Sequence, residues 1–580
     1  MADNYVRGGT ILASILKEKG VENVFTLAGG FCNAGLEGMM KYNIRTINCP
    51  HEQVAGFLAD GYCRLTRKPT VCFVGPEGFA NTIGAMIEAW GERTPIIYIT
   101  SSSTLRRKGA GGFKEINDVA IAEPLTKYSV MVTDGLRIRE VVDRAWTIAT
   151  NGYPGAVHIS IPVDIMFASF PEDAGKDERP IKWHNKPTHK AWPDPERLAD
   201  ILDIIQNAKK PVFVVGHGVW WSHAEKSLEE VSSELNIPVF NMSEHKKILP
   251  QNAKAYIGFT DEHQNPAAGY AFSECDVIIA LGCVLDNTLE FGNPPLFSKS
   301  SHLICVNGSD EEIIFNKNAD SSLLSDPNAF LSSLMKLKTD NKWTLSSQWL
   351  DSIQQHRKDW AKKVLAEFEN ETGREDGTNE KVHPLRLSLE VQKVLGESDW
   401  LVYDGGNTHF WAEIGVNIAG AFGQKLAGIL NVSSYSMLGV GVPFAIAAKD
   451  TYKDARVVVI SGDGAFMAGG MSIEVAFEQN IPIVVVIDNN MGLDCISEQQ
   501  ERMFPNKAHF ATDFRNIPFD KMIEGLGGYA ETVEKYQDIV PALERAFASN
   551  KPACINVLTK GVITPVIEDM TMRRDDASIE

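Results

Sequence analysis

The chain has 580 residues, 44% of them apolar, which is enough for about three or four domains of ordinary size. Its 75 acidic and 56 basic residues give a net charge of −19, and no basic stripe with interleaved aromatic residues occurs, which argues against a nucleic-acid partner. No apolar run approaches the length of a membrane span and the first residues lack the order of a secretory signal, so we expect a cytoplasmic protein without a membrane partner.

The first part of the chain alternates strand-like and helix-like segments, which is typical of an α/β domain with a parallel sheet. Strands are predicted at 24–27, 71–74, 96–99 and 156–159. We place this first domain at 1–166. The polar, proline-containing stretch 167–194 that follows is predicted to be a linker.

Two further α/β domains are predicted, at 195–340 and 384–562. The second domain begins with a helix from Pro195 to Ala208, with Asp194 as its N-cap. Its strands are predicted at 211–215, 276–281 and 302–306. A helical and polar linker at 341–383 separates the two domains, and 563–580 is predicted to be a tail. The predicted fold class is therefore α/β, with three doubly wound parallel-sheet domains.

The third domain contains Gly462-Asp463-Gly464 between a buried strand and a helix predicted at 466–479. A second buried strand follows and is succeeded by Asn489-Asn490. Because the carboxyl ends of parallel strands meet at one edge, we expect Asp463 and Asn490 to lie close together. Their oxygens, with the carbonyl of Gly492, suit Mg²⁺, and the glycines let the backbone approach a diphosphate. Each motif alone is an ordinary turn or loop.

This order of motifs resembles the thiamine-diphosphate motif of the acetolactate synthase and 2-oxo acid decarboxylase superfamily. The three-domain layout is similar to that family over nearly the whole chain. In the family the first domain binds the pyrimidine, the last binds the diphosphate, and the middle domain is catalytically indirect. The resemblance implies thiamine diphosphate and Mg²⁺ as cofactors, and a homodimer or homotetramer in which the two sites meet across a subunit boundary. It implies these residues on the diphosphate side: Gly462, Asp463, Gly464, Ala465 and Asn490.

The segment 50–64 looks like the glutamate-bearing helix of the family, with His-Glu followed by Ala and by Ala-x-Gly-Tyr-x-Arg. The resemblance implies that Glu52 activates the cofactor by hydrogen bonding to its pyrimidine ring. A first-turn glutamate is also favoured by the helix dipole alone. The segment 74–81 matches the family's Gly-Pro-Gly-x-x-Asn loop with Glu77-Gly78 displacing the second glycine, which implies Gly75 and Asn81 as pyrimidine-side residues.

The segment 436–443 resembles the part of the family that holds the cofactor in its bent conformation. The resemblance implies that Leu438 wedges between the two rings and that the carbonyl of Ser436 accepts from the amine. An ordinary core position is the alternative for Leu438.

Two loops of the first domain resemble family segments near the reactive carbon. The first contains Ala28, Gly29, Gly30 and Phe31, which a simple strand-to-helix turn explains equally well. In the second the family commonly has Phe-Gln-Glu, and here Lys114 follows Phe113. Its ammonium suits a substrate carboxylate or a developing oxyanion, and a surface lysine is the alternative.

The segment after the metal loop aligns without a gap with one in acetolactate synthases, but Gln499 replaces a tryptophan that helps to choose the second 2-oxo acid. This weakens the transfer of their exact substrate. Asp494, Cys495 and Glu498 are predicted to line the altered pocket. His409 is a candidate proton shuttle, although a lone histidine is more often structural.

The middle domain resembles the region that holds FAD in acetolactate synthase or ADP in oxalyl-CoA decarboxylase. Gly216-His217-Gly218 gives only a generic dinucleotide-like turn. Asn307 stands where relatives often carry an aspartate, which weakens the prediction of a bound nucleotide.

The residues and the resemblance together predict a thiamine-diphosphate- and Mg²⁺-dependent enzyme that cleaves or forms a carbon-carbon bond beside a carbonyl, as an acetolactate synthase-like 2-oxo acid decarboxylase or carboligase. The substrate is then a 2-oxo acid, a 2-hydroxy ketone or an acyl-CoA. A 2-hydroxyacyl-CoA lyase or oxalyl-CoA decarboxylase-like enzyme is one alternative, supported by the Gly-Gly-Asn-Thr segment at 405–408. A non-catalytic regulatory or assembly homologue is another, and the joint presence of Glu52, Asp463 and Asn490 argues against it.

Overall fold

The computed structural model describes residues 5–174, 176, 190–242, 248–316, 319–341, 343–372, 381–504, 506 and 509–569. By the contacts between residues, the described part of the chain groups into two compact units. The first unit contains the described residues up to 189 together with Val432–Lys453 and Gly469–Ile481. The second contains those of 190–431, 454–468 and from 482 onwards. Parts of the predicted linkers at 167–194 and 341–383 and of the predicted tail at 563–580 lie outside the described residues.

Strands and helices alternate along the chain up to residue 171. They are β1 (Tyr5–Arg7), α1 (Gly8–Glu18), β2 (Asn23–Thr26), α2 (Asn33–Lys41), β3 (Arg45–Asn48), α3 (Glu52–Thr66), β4 (Thr70–Val74), α4 (Pro76–Asn81), α5 (Ile83–Gly91), β5 (Ile96–Ser102), α6 (Asp118–Ala122), β6 (Ser129–Met131), α7 (Ile138–Thr150), β7 (Val157–Pro162), α8 (Val163–Phe167) and β8 (Ser169–Pro171). Six strands form a parallel sheet in the order β3-β2-β4-β5-β7-β6, and β1 pairs antiparallel with β8.

The middle of the chain forms a second parallel sheet of six strands. The elements are α9 (Pro195–Asn207), β9 (Pro211–Val215), α10 (His217–Trp221), α11 (Glu225–Leu235), β10 (Val239–Asn241), β11 (Tyr256–Phe259), α12 (Pro266–Glu274), β12 (Val277–Leu281), β13 (His302–Asn307), α13 (Asp310–Phe315), β14 (Ser321–Leu324), α14 (Pro327–Asn341) and α15 (Gln348–Thr372). The order β11-β10-β9-β12-β13-β14 is that of dinucleotide-binding folds. Asp194 caps α9, as predicted, by accepting from the amides of Glu196 and Arg197.

The last part of the chain forms the third parallel sheet. Its elements are α16 (Pro384–Val394), β15 (Trp400–Asp404), α17 (Asn407–Ala421), β16 (Gly428–Leu430), α18 (Gly441–Thr451), β17 (Val457–Gly462), α19 (Asp463–Gly469), α20 (Ile473–Glu478), β18 (Val484–Asn489), α21 (Asp494–Met503), α22 (Phe519–Gly525), β19 (Tyr529–Val533), α23 (Ile539–Ser549) and β20 (Ala553–Leu558). The order is β16-β15-β17-β18-β20-β19. The β-branched runs of β17 and β18 are buried along their whole length, as expected for the centre of a parallel sheet. Among all the helices described, none is long and apolar enough to cross a membrane.

The first and third sheets have the same strand order, although no repeat is evident in the sequence. In each, the second strand pairs on one side of the first and the third strand pairs on the other, so the order reverses beside β2 and β15. Ligands of doubly wound folds bind at the carboxyl ends of the strands at this reversal. The loops at these ends include 27–30, 405–406 and the residues directly after β4 and β17. The fold thus confirms the predicted class, and among the predicted site residues these loops contain Ala28, Gly29, Gly30, Gly75, Asp463 and Gly464.

The single helix predicted at 466–479 is wrong. The structure has α19 and α20 with a short 3-10 turn at Gly470–Ser472 between them. A Cβ on Gly469 would lie 2.2 Å from the carbonyl oxygen of Gly439, so the backbone approaches too closely for any other residue. The break falls where the chain passes from the second unit to the first, after residue 468. The periodic pattern of apolar residues in the sequence does not indicate where the chain passes from one unit to the other.

A buried ion network joins α3 to the segment that precedes Ser436 in the first unit. The guanidinium of Arg64 donates to Asp60 at 2.6 Å and to Glu88 at 3.0 Å. Glu88 also accepts from the hydroxyl of Ser433 at 2.9 Å. With Glu92 at 3.7 Å, one guanidinium faces three carboxylates. Burial, with the nearby Asp60, raises the pKa of Glu88 to about 7 against the pull of Arg64.

Glu88→Gln should therefore change stability in a pH-dependent way. Glu88 has its pKa raised from 4.5 to about 7, so its stabilising contribution is complete below about 4.5 and is lost as pH rises through 7. The neutral amide of glutamine does not ionise in this range. The free energy of unfolding of the variant should therefore rise by about 2 kcal/mol relative to that of the parent between pH 5 and pH 8. The difference in Tm between variant and parent at each pH measures it. The exposed control Glu534→Gln should show no such trend, and a pH-independent difference for Glu88→Gln would contradict the raised pKa.

Candidate active site

Glu52 is held in a fixed position at the start of α3. The side chain of His51 caps this helix by accepting from the amide of Gln53, and Glu52 is only 7% exposed. Its Oε2 accepts from Nδ2 of Asn81 at 2.9 Å. A Cβ on Gly78 would lie 2.7 Å from Cγ of Glu52, so the carboxylate lies directly against the α4 backbone. The glycine that seemed displaced in the sequence is thus the residue that makes room for Glu52.

The structure places Phe31, Phe113 and Lys114 together in the first unit. The rings of Phe31 and Phe113 are 6.3 Å apart, and Phe113 is 75% exposed. Lys114 forms an ion pair with Glu77 on α4. Side chains added at Gly29 or Gly30 would meet nothing within 4 Å, so packing does not explain these two glycines. This loop leaves open space beside an aromatic and charged cluster, as a substrate pocket requires.

Leu438 lies in a constrained and exposed loop rather than in the core. It is 38% exposed, which removes the alternative of an ordinary core position. Ser436 has a φ of +52°, in the left-handed region that non-glycine residues rarely adopt. A Cβ on Gly84 would lie 2.8 Å from Cε of Met437, so the loop is packed against α5 through the residue before Leu438. A bulky apolar side chain held out in this way is suited to contact a ligand.

The predicted metal residues come together in the second unit. Because β17 pairs with β18 so that Gly462 lies opposite Asp488, the residues after both strands meet at one edge. The carboxylate of Asp463 accepts from the amides of Met491 at 2.8 Å and Gly492 at 3.1 Å. Asn490 Oδ1 also accepts from the amide of Gly492, at 3.1 Å.

The residues around Asp463 are closely packed. A Cβ on Gly462 would lie 3.0 Å from Oγ1 of Thr408, and one on Gly464 would lie 2.6 Å from Cδ2 of Leu493. Ala465 is 3% exposed. The backbone at both glycines therefore lies close to neighbouring side chains, and Asp463 between them is only 3% exposed.

Asp488 is a buried carboxylate that the sequence analysis did not single out. Its Oδ2 accepts from the hydroxyl of Thr408 at 2.8 Å. Burial and the charge of Asp488 raise the pKa of Asp463 to about 7 and that of Asp494 to about 6. An acidic residue at the end of an otherwise apolar strand, directly before Asn489-Asn490, was the signal that could have revealed it.

The donor set around Asp463 fits a divalent cation. Three carboxylates repel one another here, and a cation bound at Asp463 would relieve that repulsion. In the part of the chain that the structure describes, no group of three or more His, Cys, Asp or Glu residues could hold a metal ion by itself. The set of one carboxylate, one amide oxygen and one carbonyl suits Mg²⁺ that takes further oxygens from phosphate. Asp463, Asn490 and Gly492 remain the predicted ligands.

The residues of the predicted second-substrate pocket lie on α21. Asp494 accepts from Nδ2 of Asn407 at 2.9 Å, and a Cβ on Gly406 would lie 3.4 Å from that of Cys495. Both therefore adjoin the loop after β15, where the strand order reverses. Glu498 is half-buried one turn further on, and burial with the charge of Asp494 raises its pKa. Gln499, which replaces the family's tryptophan, is buried at 8% exposure.

His409 is engaged in buried contacts. Its Nε2 lies 3.1 Å from Oε1 of Glu413 and 3.2 Å from Nδ2 of Asn431. Its ring also packs 5.0 Å from that of Tyr403. These contacts are sufficient to explain a structural histidine, and its role as a proton shuttle stays a prediction.

The glycine turn of the middle domain is explained by protein packing. A Cβ on Gly218 would lie 2.6 Å from Cα of Gly282. At the ends of the neighbouring strands, Nδ2 of Asn307 donates to the buried carboxylate of Glu312 at 2.8 Å. A buried carboxylate opposes a bound diphosphate, so these contacts give no support to FAD or ADP in this domain.

Three family models match the chain, each over a part that includes strands of one of its three sheets. They are the thiamine pyrophosphate enzyme N-terminal TPP binding domain at residues 6–121, the central domain at 198–334 and the C-terminal TPP binding domain at 404–557. The chain belongs to the thiamine pyrophosphate enzymes, as its motifs predict. It is an enzyme that uses thiamine diphosphate to act on a carbon-carbon bond beside a carbonyl.

The similar proteins fall into two groups of named activity. The chain is 28% identical to an acetolactate synthase large subunit of Mycobacterium tuberculosis over 557 residues, which is 96% of each chain. It is 27% identical to a 2-hydroxyacyl-CoA lyase of Arabidopsis thaliana over 572 residues, 95% of each chain. It is 24% identical to human 2-hydroxyacyl-CoA lyase 1, covering 98% of this chain and 97% of that one.

Asp463→Asn should weaken Mg²⁺-dependent binding of thiamine diphosphate by about tenfold or more, because it removes the charged ligand. The same change should raise the Tm of the metal-free protein at pH 8. Asp463 has its pKa raised to about 7, so the metal-free fold loses stability as pH rises through 7 and the amide does not. Calorimetric titration and thermal unfolding measure the two effects. Asp454→Asn, an exposed change in the same unit, should do neither, and unchanged cofactor affinity in Asp463→Asn would place the metal elsewhere.

Gly78→Ala should displace the Glu52 carboxylate without unfolding the protein. The added methyl would lie 2.8 Å from Oε1 of Glu52, whereas alanine favours a helix by up to about 1 kcal/mol. Proton exchange at C2 of the bound cofactor, followed by NMR after acid quench, should fall by at least about tenfold. The control Gly525→Ala adds a methyl that meets nothing within 4 Å and should leave the exchange rate unchanged. Full exchange in Gly78→Ala would show that Glu52 does not act from this position.

Proposed function

We propose that the protein is a Mg²⁺- and thiamine-diphosphate-dependent 2-oxo acid decarboxylase or carboligase of the acetolactate synthase-like type. The proposal depends on one structural feature, the placement of chemically suited side chains at both strand-order reversals. Glu52 is buried against α4 and bonded to Asn81 in the first sheet's loops. Asp463 lies against the 490–492 loop in those of the third sheet.

The proposed reaction requires no external oxidant or reductant. The bond between the keto carbon and the carboxylate carbon of the donor breaks, and carbon dioxide leaves. The keto carbon then takes a proton, or it bonds to the carbonyl carbon of an acceptor whose oxygen takes the proton. Bound thiamine diphosphate supplies the electron sink that makes this bond cleavage possible.

The chain's own residues divide the remaining tasks. Glu52 would hold a hydrogen bond to the pyrimidine ring, and Asn81 donates to its carboxylate. Asp463, Asn490 and the carbonyl of Gly492 would hold Mg²⁺. The exposed Leu438 and the segment at Ser436, whose φ is left-handed, would contact the cofactor.

The proposed assembly is a cytoplasmic homodimer or homotetramer. Its support is the family resemblance, in which the pyrimidine-binding domain of one subunit faces the diphosphate-binding domain of another. Sedimentation of the purified protein with and without cofactor measures the assembly, and a monomer at catalytic concentration would refute it.

A 2-hydroxyacyl-CoA lyase or oxalyl-CoA decarboxylase-like activity is the second candidate. Gln499 stands buried where acetolactate synthases have tryptophan, and Asp494 and Cys495 adjoin the Gly-Gly-Asn-Thr loop after β15. Relatives named 2-hydroxyacyl-CoA lyases align over nearly the whole chain. These features favour a substrate other than two 2-oxo acids.

One screen separates the candidates. The purified protein, loaded with thiamine diphosphate and Mg²⁺, is supplied with a panel of 2-oxo acids, alone and with aldehydes, and with 2-hydroxyacyl-CoAs and oxalyl-CoA. Release of carbon dioxide from a free 2-oxo acid supports the first proposal, and a CoA-dependent product supports the second. Absence of cofactor binding would instead favour a non-catalytic homologue.

Glu52→Gln should leave affinity for thiamine diphosphate within about threefold and suppress C2 proton exchange by about a hundredfold or more, the range of a lost acid-base group. The amide keeps the shape of the side chain but not its charge. Calorimetry measures the binding, and quenched-flow NMR measures the exchange. Glu22→Gln, an exposed change in the same unit, serves as the matched control. Undiminished exchange in Glu52→Gln would refute the activating role.

A further inference from the structure

Two departures from the family pattern meet in the structure. Glu77 displaces a glycine in the loop after β4, and Lys114 replaces a glutamine 37 positions later. The two side chains form an ion pair with each other. In the sequence each residue is an isolated change, but in the structure the two side chains are in contact.

The ammonium of Lys114 is partly buried beside two aromatic rings. It lies 5.3 Å from the ring centroid of Phe113 and 5.8 Å from that of Phe31, within the range of cation–π attraction. Lys114 has a φ of +59°, so the loop holds it in a conformation rare for a non-glycine residue. Its side chain is 31% exposed and that of Glu77 is 49% exposed, so the pair remains within reach of a small solute.

Two further carboxylates adjoin the residues of this pair. Gly78, the next residue after Glu77, lies against the carboxylate of Glu52. Glu115, the residue after Lys114, accepts hydrogen bonds from the backbone amides of Gly109 and Gly112. A second carboxylate that approached Lys114 would meet the negative charge of Glu77 already bound to it, and like charges repel.

We propose that Glu77, by holding Lys114, is a specificity-determining residue that makes the enzyme select an uncharged carbonyl compound over a second 2-oxo acid as acceptor. This inference rests on the proposed carboligase function. It concerns the acceptor, because the carboxylate of the donor leaves as carbon dioxide.

The first test compares two acceptors that differ only in charge, pyruvate and its methyl ester, with the donor fixed. The parent should prefer methyl pyruvate. In Glu77→Gln the ratio of kcat/KM for pyruvate to that for methyl pyruvate should rise about two- to fivefold, the range given by partly exposed ion pairs. Lys114→Gln should lower this ratio, and Glu140→Gln, which breaks an ion pair on α7, should not change it. An unchanged ratio in Glu77→Gln would overturn the proposal.

The second test measures the pair without turnover, so that it remains decisive even if the proposed function fails. Lys114 is acylated by a small neutral reagent and quantified by mass spectrometry, with oxamate or methyl oxamate as a competitor that is not consumed. Labelling should rise severalfold in Glu77→Gln, and oxamate should protect Lys114 in that variant but not in the parent. Protection of Lys114 by oxamate in the parent would show that the ammonium is open to a carboxylate and would overturn the proposal. Activity with no acceptor at all, together with the expected labelling, would refute the carboligase function alone.

Discussion

The parallel register of the strands in two six-stranded sheets is the constraint on which the rest of the site depends. Side chains that follow β17 and β18 are 25 residues apart or more in sequence, and the parallel register alone brings Asp463 to the 490–492 loop. The first sheet has the same order and brings the α4 residues Gly78 and Asn81 to Glu52. The residues with predicted roles lie in the loops at these ends, and the strands beneath them are covered and apolar.

Much of this arrangement could be predicted from the sequence because it is local and periodic. Buried runs of valine and isoleucine mark the central strands, and Asp194 before Pro195 marks a helix start, so the α/β class and α9 follow directly. Glycines beside Asp463 mark a close backbone approach. These signals lie within a few residues of one another and need no knowledge of distant contacts.

The features that were missed all depend on residues far apart in the chain. The break between α19 and α20 follows Gly469, whose backbone lies against that of Gly439, thirty positions earlier in the chain. The network around Arg64 needs Glu88 and Ser433, which no periodic pattern connects. The equal strand order of the first and third sheets leaves no visible repeat, since a sheet needs only apolar residues at the right period and not any particular ones.

Three carboxylates with proposed roles differ in which groups lie next to their charge. Asp463 is buried beside Asp488, so a bound cation would stabilise its ionised form. Glu52 accepts a hydrogen bond from the neutral amide of Asn81, and its carboxylate stays available to a ring nitrogen. Glu77 already has its cation in Lys114. The first two follow the family pattern, which predicts a role in binding the cofactor. The third is a pairing of this chain's own departures, to which we assign a role in substrate choice.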